Sequence, residues 1–321
     1  MENPLHNPPT AEDILQAASR IHAYINRTPV ITSSTLNRMT GAELFFKCEN
    51  FQKVGAFKAR GATNAVFSLE ESQTTKGVAT HSSGNHAQAL SWAASLRNLP
   101  AYIVMPDNSS QVKINAVKDY GGNITFCRPT LEAREFTLEK VIANTGATEI
   151  HPYNNLHIIA GQATAAAELF EDYSDLDLLL VPVGGGGLLS GSALSAHYFS
   201  PKTRVIAAEP EQANDAWLSF IQKKFIPSLH PNTIADGLRT SLGSLTFPII
   251  LDNVSEVITV QEEEIVKAMR LVWERMKILI ETSSAVPVAA LMSGKLAVKG
   301  KKVGIIISGG NVDLDLLPWI K

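Results

Sequence analysis

The sequence predicts an α/β protein in which two parallel-rich sheets, each covered by helices, share one chain. Three observations predict it. Short apolar runs alternate with amphipathic stretches, the order expected of strand–helix–strand units with right-handed crossovers. The runs at 44–48, 77–81, 101–105, 123–127, 178–183, 204–208 and 303–307 are mostly continuous rather than alternating, which suits strands buried on both faces. The chain has 321 residues, more than the roughly 250–300 that one hydrophobic core serves.

The elements follow in order. Thr10-Ala11-Glu12-Asp13 reads as a capping box, after which Ile14, Ala18, Ile21 and Ile25 fall on one helical face. Helical stretches are expected at 57–69, 86–96, 110–120, 132–145, 159–173, 188–198 and 262–279, between the strands. Breaks are weak: turn-rich patches at 71–77 and 151–155 and the proline pair at 227–231. No repeat or low-complexity tract interrupts the chain. The division expected is a large discontinuous domain, 1–76 with 151–321, and a small domain, 77–150.

Composition narrows the class. The chain is 45% hydrophobic and 18% charged, ordinary for a globular protein of enzyme size. A net charge of -3 and a pI near 6.3 exclude a generally basic nucleic-acid binder. No apolar run approaches the roughly 18 residues of a membrane span. Met1 to Thr10 shows no basic segment followed by an apolar one, so no secretory leader is expected. Cys48 and Cys127 are too few for a disulfide framework and read as buried thiols of a reduced compartment, the cytoplasm.

In open α/β sheets ligands sit beyond the carboxyl ends of the strands. Four segments at such ends stand out: 49–61, Ser82-Ser83-Gly84-Asn85-His86, Gly184-Gly185-Gly186-Gly187 and Ser308-Gly309-Gly310-Asn311. The four glycines lie between a strand and a helix opening at Leu188. There, backbone N–H groups and the helix N-terminus together make a phosphate cradle. No Lys-Ser/Thr follows, which excludes the nucleoside-triphosphate P-loop. A dinucleotide-binding oxidoreductase competes, because Glu209 lies about 20 residues on, where the ribose-binding acid belongs. Its G-x-G-x-x-G is not met, since Gly185-x-Gly187 runs into Leu188, Leu189 and Ser190, and it leaves Lys58 and Asn85 without work.

Lys58 stands after a strand, beside Phe57 and two residues before Arg60. A lysine desolvated near other cations loses its proton more readily and becomes nucleophilic toward aldehydes. Phosphate cradle plus nucleophilic lysine points to pyridoxal phosphate (PLP).

The pattern resembles the fold-type II PLP enzymes, similar to tryptophan synthase β chains, and within them the serine racemase branch of the serine/threonine dehydratase family. The resemblance runs from about Ile14 to about Leu314. It is carried by Phe51-Gln52-Lys53-x-Gly55-x-Phe57-Lys58-x-Arg60-Gly61, Ser82-Ser83-Gly84-Asn85-His86, Gly184 to Gly187, Ile234-Ala235-Asp236-Gly237, Ser308-Gly309-Gly310-Asn311-Val312-Asp313 and Leu271-Val272-Trp273-Glu274-Arg275-Met276-Lys277. It implies two parallel-rich α/β domains with the cofactor between them, the 77–150 domain being the mobile one.

By this resemblance Lys58 forms the Schiff base with PLP. Gly184, Gly185, Gly186, Gly187 and Leu188 donate backbone N–H groups to its phosphate. Asn85 hydrogen-bonds ring O3′, Phe57 covers a ring face, Gly237 lines the cofactor with its backbone, and Ser308 meets the pyridine nitrogen. A serine there does not force that nitrogen to carry a proton, as an aspartate does. Racemisation needs an acid–base group on each face of the substrate; Lys58 serves one and Ser83 the other. Threonine dehydratases usually carry Ala at the position of Ser83, whereas hydroxyaspartate dehydratases share the serine. Ser82, Ser83, Gly84, Asn85 and His86 bind the substrate carboxylate, and Arg134 reaches the substrate side, where it suits a second carboxylate. Without the resemblance, Phe57 reads as core, Asn85 and Ser308 as turn residues and Arg134 as a helix-surface charge.

Glu209, the Ala213 carbonyl and Asp215 suit a hard cation, Mg2+ or Ca2+, and hold the metal in this branch. The branch also carries an ATP site between subunits, matching Ser33, Ser34, Thr35, Lys53, Gln88, Tyr120, Lys277 and Asn311. Val54 stands there where mammalian members have a threonine. Glu281-Thr282-Ser283-Ser284 departs from the usual Glu-Pro-Thr/Ser-Gly/Ala. The activity implied is interconversion of L- and D-serine with dehydration of serine to pyruvate and ammonia, by a cytoplasmic homodimer. Alternatives are a dehydratase of threonine or 3-hydroxyaspartate with little racemase activity, the oxidoreductase, and a regulator of the same fold without turnover. Intact Lys58, Ser83 and Asn85 speak against the last.

Overall fold

Ten strands fall into two sheets in the computed structural model, which describes residues 7–320. Met1 to His6, part of the segment read for a leader, lie outside the described residues. The strands are β1 (Val30–Ile31), β2 (Glu43–Cys48), β3 (Val78–His81), β4 (Ala101–Pro106), β5 (Gly122–Cys127), β6 (Thr148–Glu149), β7 (Leu178–Pro182), β8 (Arg204–Pro210), β9 (Glu256–Val260) and β10 (Lys302–Ile307). The large sheet runs β1-β2-β10-β7-β8-β9 and the small one β5-β4-β3-β6. Every pairing is parallel except that of the short edge strand β1 with β2.

Parallel pairing forces crossovers, and helices on both faces bury the central strands. All of β3 and β7 is buried. Each sheet has a place where successive strands turn opposite ways, and a crevice opens there beyond the carboxyl ends. In the large sheet it lies between β7 and β10, and in the small sheet between β3 and β6. The segments starting at Ser82, Gly184 and Ser308 leave these strands.

The seven expected strands form, each within two residues of its expected ends. Three further strands, β1, β6 and β9, were not expected. The capping box is real: Thr10 Oγ1 accepts from the Asp13 amide, and the Asp13 carboxylate accepts from the Thr10 amide at 2.8 Å. That helix, Ala11–Ile21, buries Ile14, Ala17 and Ile21, so the inner face includes Ala17 in place of Ala18, and Ile25 lies past its end. The last expected helix stops at Met276, because Lys277 adopts φ 60°. Helices Ser34–Thr40, Asp215–Gln222, Thr246–Asn253 and Thr282–Met292 were not expected; the last carries Pro287 inside it.

One close approach fixes the helix that begins at Lys58. Helix Lys58–Ser68 crosses helix Leu156–Asp172 at Gly61 and Gly161. A Cβ on Gly161 would lie 2.6 Å from the Gly61 Cα, so only glycines allow the backbones to meet. Behind the crossing, Arg60 is fully buried between Glu49 and Glu168, with 2.7 Å contacts to each, and Lys47 reaches Glu168 at 2.6 Å. Among the described residues no helix is long and apolar enough to cross a membrane.

Candidate active site

A cavity of about 560 Å³ opens where the crevices of the two sheets meet, within the range usual for small-molecule sites. Its lining draws on every segment singled out at a strand end: Phe57 and Lys58, Ser82 to His86, Gly184 to Leu188, Asp236 and Gly237, and Ser308. Arg134 reaches it from helix Leu131–Thr145 of the small sheet.

The glycine loop is shaped to leave room. Cβ atoms on Gly185 and Gly187 would meet Tyr153 at 2.3 and 3.0 Å, and one on Gly184 would meet the Leu238 Cα at 2.9 Å. Gly186 has φ +88°, a conformation that glycine adopts without strain. Thr246 Oγ1 donates to the Gly185 carbonyl at 2.8 Å and satisfies it within the protein. Among the described residues the amides of Gly184 to Leu188 have no hydrogen-bond acceptor. Free amides at the start of the helix Gly187–Phe199 are the donor set a phosphate needs, and this part of PLP fits.

Lys58 supplies the amine. Burial pushes its pKa down to about 8. Its Nζ donates to the Pro152 carbonyl at 2.7 Å and lies 5.2 Å from the centroid of the Phe57 ring. The surrounding imidazoles stay neutral: burial pushes His81 and His151 down to about 4, and His86 well below its usual value. His86 Nε2 meets the Ile150 carbonyl at 3.2 Å, so the ring is anchored behind the loop whose backbone faces the cavity.

Asn85 is oriented from two sides. Its Nδ2 donates to Glu281 at 2.8 Å and its Oδ1 accepts from Asn311 at 2.9 Å. One N–H of the amide remains for a ligand. Glu281 is buried, its carboxyl pushed up to about 7 by desolvation, and its Oε2 has no hydrogen-bond partner. Gly237 donates its N–H to Ser283 Oγ at 3.1 Å, close beside Gly184. The Ser308 hydroxyl meets Ser284 Oγ at 3.0 Å. Arg134 forms no ion pair among the described residues, and its buried Nε has no partner.

The residues read as a cation site lie outside this cavity. Glu209, at the end of β8, accepts from the amides of Ala216 and Trp217 at 2.9 and 2.8 Å. Burial and then the charge of Asp215 hold it well above the carboxylate range, and burial pushes Asp215 up to about 7. Both Asp215 oxygens are buried without a hydrogen bond. Among the described residues no three His, Cys, Asp or Glu side chains cluster as metal ligands, so the expected site offers two carboxylates only.

Ser33, Ser34, Thr35, Lys53, Gln88, Tyr120, Lys277 and Asn311 do not line the cavity. Ser33 caps helix Ser34–Thr40, and Gln88 is buried in helix Asn85–Ser95. Asn311 spends both N–H groups on Val54 O and Asn85 Oδ1, at 2.8 and 2.9 Å.

Sequence reasoning gave no role to five participants. Tyr153 walls the glycine loop from the turn at 151–155, which carried only a break signal. Glu281 orients Asn85, and Ser284 contacts Ser308, from a segment marked only as a departure. Lys113 and Asp236 form an ion pair at the cavity wall between the two sheets; Asp236 stood inside a quoted motif, whereas Lys113 carried no signal.

Comparison with known proteins agrees with this geometry. The family model described as "Pyridoxal-phosphate dependent enzyme" matches residues 21–309. The chain is 53% identical to the β-hydroxyaspartate dehydratase of Paracoccus denitrificans, over 97% of this chain and 99% of that one. It is 53% identical to the serine racemase of Dictyostelium discoideum, over 97% of each. The crystal structure of the Dictyostelium serine racemase superposes with a TM-score of 0.89, covering 95% of this chain and 99% of that one.

Proposed function

This chain belongs to the pyridoxal-phosphate dependent enzyme family, and from that premise we propose that it interconverts L- and D-serine and also dehydrates serine to pyruvate and ammonia. The observation that carries the reading is one cavity lined by a readily deprotonated lysine, Lys58, a serine, Ser83, and a glycine loop with free amides. The high identity to a serine racemase supports the same substrate class.

When bound, PLP supplies an aldehyde for amines and a ring that acidifies the substrate α-hydrogen. Gly184, Gly185, Gly186, Gly187 and Leu188 hold its phosphate through their amides. Phe57 and Gly237 would flank the ring, Asn85 would donate to O3′, and Ser308 would meet the ring nitrogen. Lys58, neutral above about pH 8, would supply the amine that holds the cofactor and the base for the α-proton on its own face. Ser83 gives or takes the proton on the opposite face. Ser82, Gly84, Asn85 and His86 present the loop that holds the substrate carboxylate. The 77–150 domain moves against the rest to exclude water, and the Lys113–Asp236 pair is the contact it makes or breaks.

Mg2+ or Ca2+ held by Glu209, Ala213 and Asp215 stabilises the large domain, which is supported by the unpartnered Asp215 carboxylate. ATP between the subunits of a homodimer, at Ser33, Ser34, Thr35, Lys53, Gln88, Tyr120, Lys277 and Asn311, is an effector site, and the location is cytoplasmic. A second reading, dehydration of 3-hydroxyaspartate, is favoured by Arg134, which lines the cavity without an acidic partner, and by the dehydratase relative. A chiral chromatography time course on L-serine beside a pyruvate assay tests the pair. D-serine and pyruvate are both expected; pyruvate without D-serine hands the site to the dehydratase.

A further inference from the structure

Ser284 is fully buried and does not line the cavity, so its hydrogen bonds are completed inside the protein, whereas Ser308, 3% exposed, borders the cavity. Ser284 lies in the first turn of helix Thr282–Met292, and Ser308 directly follows strand β10. The contacts of Ser284 Oγ fix which of the two serines donates. Gly309 N–H donates to Ser284 Oγ at 2.7 Å. The same oxygen lies 2.7 Å from the Gly309 carbonyl, which has no hydrogen to give, so the Ser284 proton goes there. A hydroxyl has one proton and two lone pairs. The one lone pair left on Ser284 faces Ser308 Oγ at 3.0 Å, and Ser308 must be the donor in that bond. The Ser308 proton is therefore spent inside the protein, and only lone pairs remain on the side facing the cavity.

We propose that Ser284 is a positioning residue that makes Ser308 an acceptor toward the ring nitrogen of bound PLP, so that this nitrogen carries a proton. The inference rests on the cofactor reading above. It deepens that reading, because a serine at this position, taken alone, leaves the nitrogen free to stay unprotonated. With Ser284 beside it, the same serine rewards the N–H form and leaves two lone pairs opposed in the other form. A cationic ring draws more negative charge from the substrate α-carbon. That gives the charge more time to be quenched by a proton from Ser83 before the β-hydroxide departs. At position 284 a residue without a hydroxyl would leave the Ser308 proton free to point at the ring.

The test is the nitrogen-15 resonance of ring-labelled PLP bound to the whole protein, read at one pH near neutrality. Free labelled cofactor in its protonated and unprotonated forms supplies the two reference positions. Wild type is expected near the protonated reference. Ser284→Ala should move the resonance toward the other, with the N–H to N ratio falling about five- to tenfold, the worth of one neutral hydrogen bond. Ser284→Thr keeps the hydroxyl and should keep the wild-type position. Should Ser284→Ala fail to fold, Ser308→Ala removes the acceptor itself and should show the same fall. A resonance near the unprotonated reference in wild type, or one that neither alanine variant moves, overturns the inference. So does a Ser284→Thr that matches Ser284→Ala, since the turn around Gly309 rather than the hydroxyl would then be responsible. A protein that takes up no PLP overturns the cofactor reading and this one with it, whereas the other failures leave the cofactor reading standing.

Discussion

Lys58 and Arg60 begin the same helix two residues apart, and at 3.6 residues per turn they leave it on nearly opposite sides. Both are buried cations, yet their surroundings differ in kind. Arg60 contacts Glu49 and Glu168, and Glu49 also accepts from Thr28 Oγ1 at 2.5 Å while Lys47 answers Glu168. Every charge there meets an opposite one. On the cavity side Lys58 has a single neutral carbonyl, Glu281 has an oxygen with no partner, and Arg134 has no acid. The pKa shifts follow: Arg60 is held above its usual value by its acids, whereas Lys58 is pushed down to about 8. A paired buried charge holds architecture, and an unpaired one is kept ready for a ligand.

The largest expected effect breaks this contrast at its two poles. Arg60→Met leaves two buried carboxylates against Lys47 alone and is expected to cost about 3–5 kcal/mol, read as a lower urea midpoint. Lys58→Ala abolishes racemisation, dehydration and the yellow colour of the bound cofactor, because no other amine is placed to bond the aldehyde. Without cofactor its urea midpoint should match or exceed wild type. The sign follows from the depressed pKa: holding the lysine charged costs stability in full below about pH 8, and the cost fades as pH rises toward 10.5. Equal destabilisation by both substitutions would erase the distinction.

Next comes the division of labour inside the cavity. Ser83→Ala should slow formation of D-serine from L-serine by about 10²–10⁴, the usual worth of a positioned acid–base group, while much of the pyruvate formation survives. Elimination from L-serine needs a base only on the Lys58 face, whereas D-serine needs a proton from the other. Dehydration of D-serine should fall with racemisation, since its α-proton faces Ser83. If pyruvate and D-serine fall together from L-serine, Ser83 only shapes the loop or binds the carboxylate.

Arg134 sharpens the contrast more gently. Against 3-hydroxyaspartate, Arg134→Ala should lower kcat/KM about 10- to 100-fold, as expected for one charged hydrogen-bonding partner. Serine, which has no second carboxylate, should be little affected. An equal loss for both substrates would make Arg134 a part of the wall and remove the diacid reading.

How much of this was legible depended on how far apart the partners lie in sequence. Strands buried on both faces announce themselves as continuous apolar runs, and β2, β7 and β10 were plain. The edge strand β9, Glu256–Val260, keeps a polar residue at each partly exposed place and gave no such run. Pro287 and the serines before it hid helix Thr282–Met292. Residues at strand ends were legible because the chain itself delivers them to the crevice. Their supports were not. Asn85 meets Glu281 across 196 residues and Lys113 meets Asp236 across 123, and no local pattern encodes such a pairing. Tyr153 escaped for the same reason: its work is to wall a loop that lies elsewhere in sequence.

The smallest expected effect tests whether Glu209 and Asp215 belong with the unpaired, ligand-ready groups. Burial pushes Asp215 up to about 7 from an ordinary 3.8, and Glu209 is raised with it. A carboxyl whose folded pKa is raised keeps its proton in the native state over the window in which the unfolded chain has lost it. Its contribution to stability is thus full below about pH 4 and is lost as pH rises through about 7. A bound cation reverses that loss, because it takes the place of the proton between the two acids. Protein treated with a chelator should therefore become less stable as the pH rises across this window. Mg2+ or Ca2+ at ten times its Kd should restore about 1.4 kcal/mol at about pH 8, a few degrees of melting temperature, and much less at about pH 5. Asp215→Asn should flatten the pH dependence and abolish the response to cation together, since one carboxylate is the source of both. Melting temperatures indifferent to chelator and cation at either pH would return the two acids to plain buried loop residues.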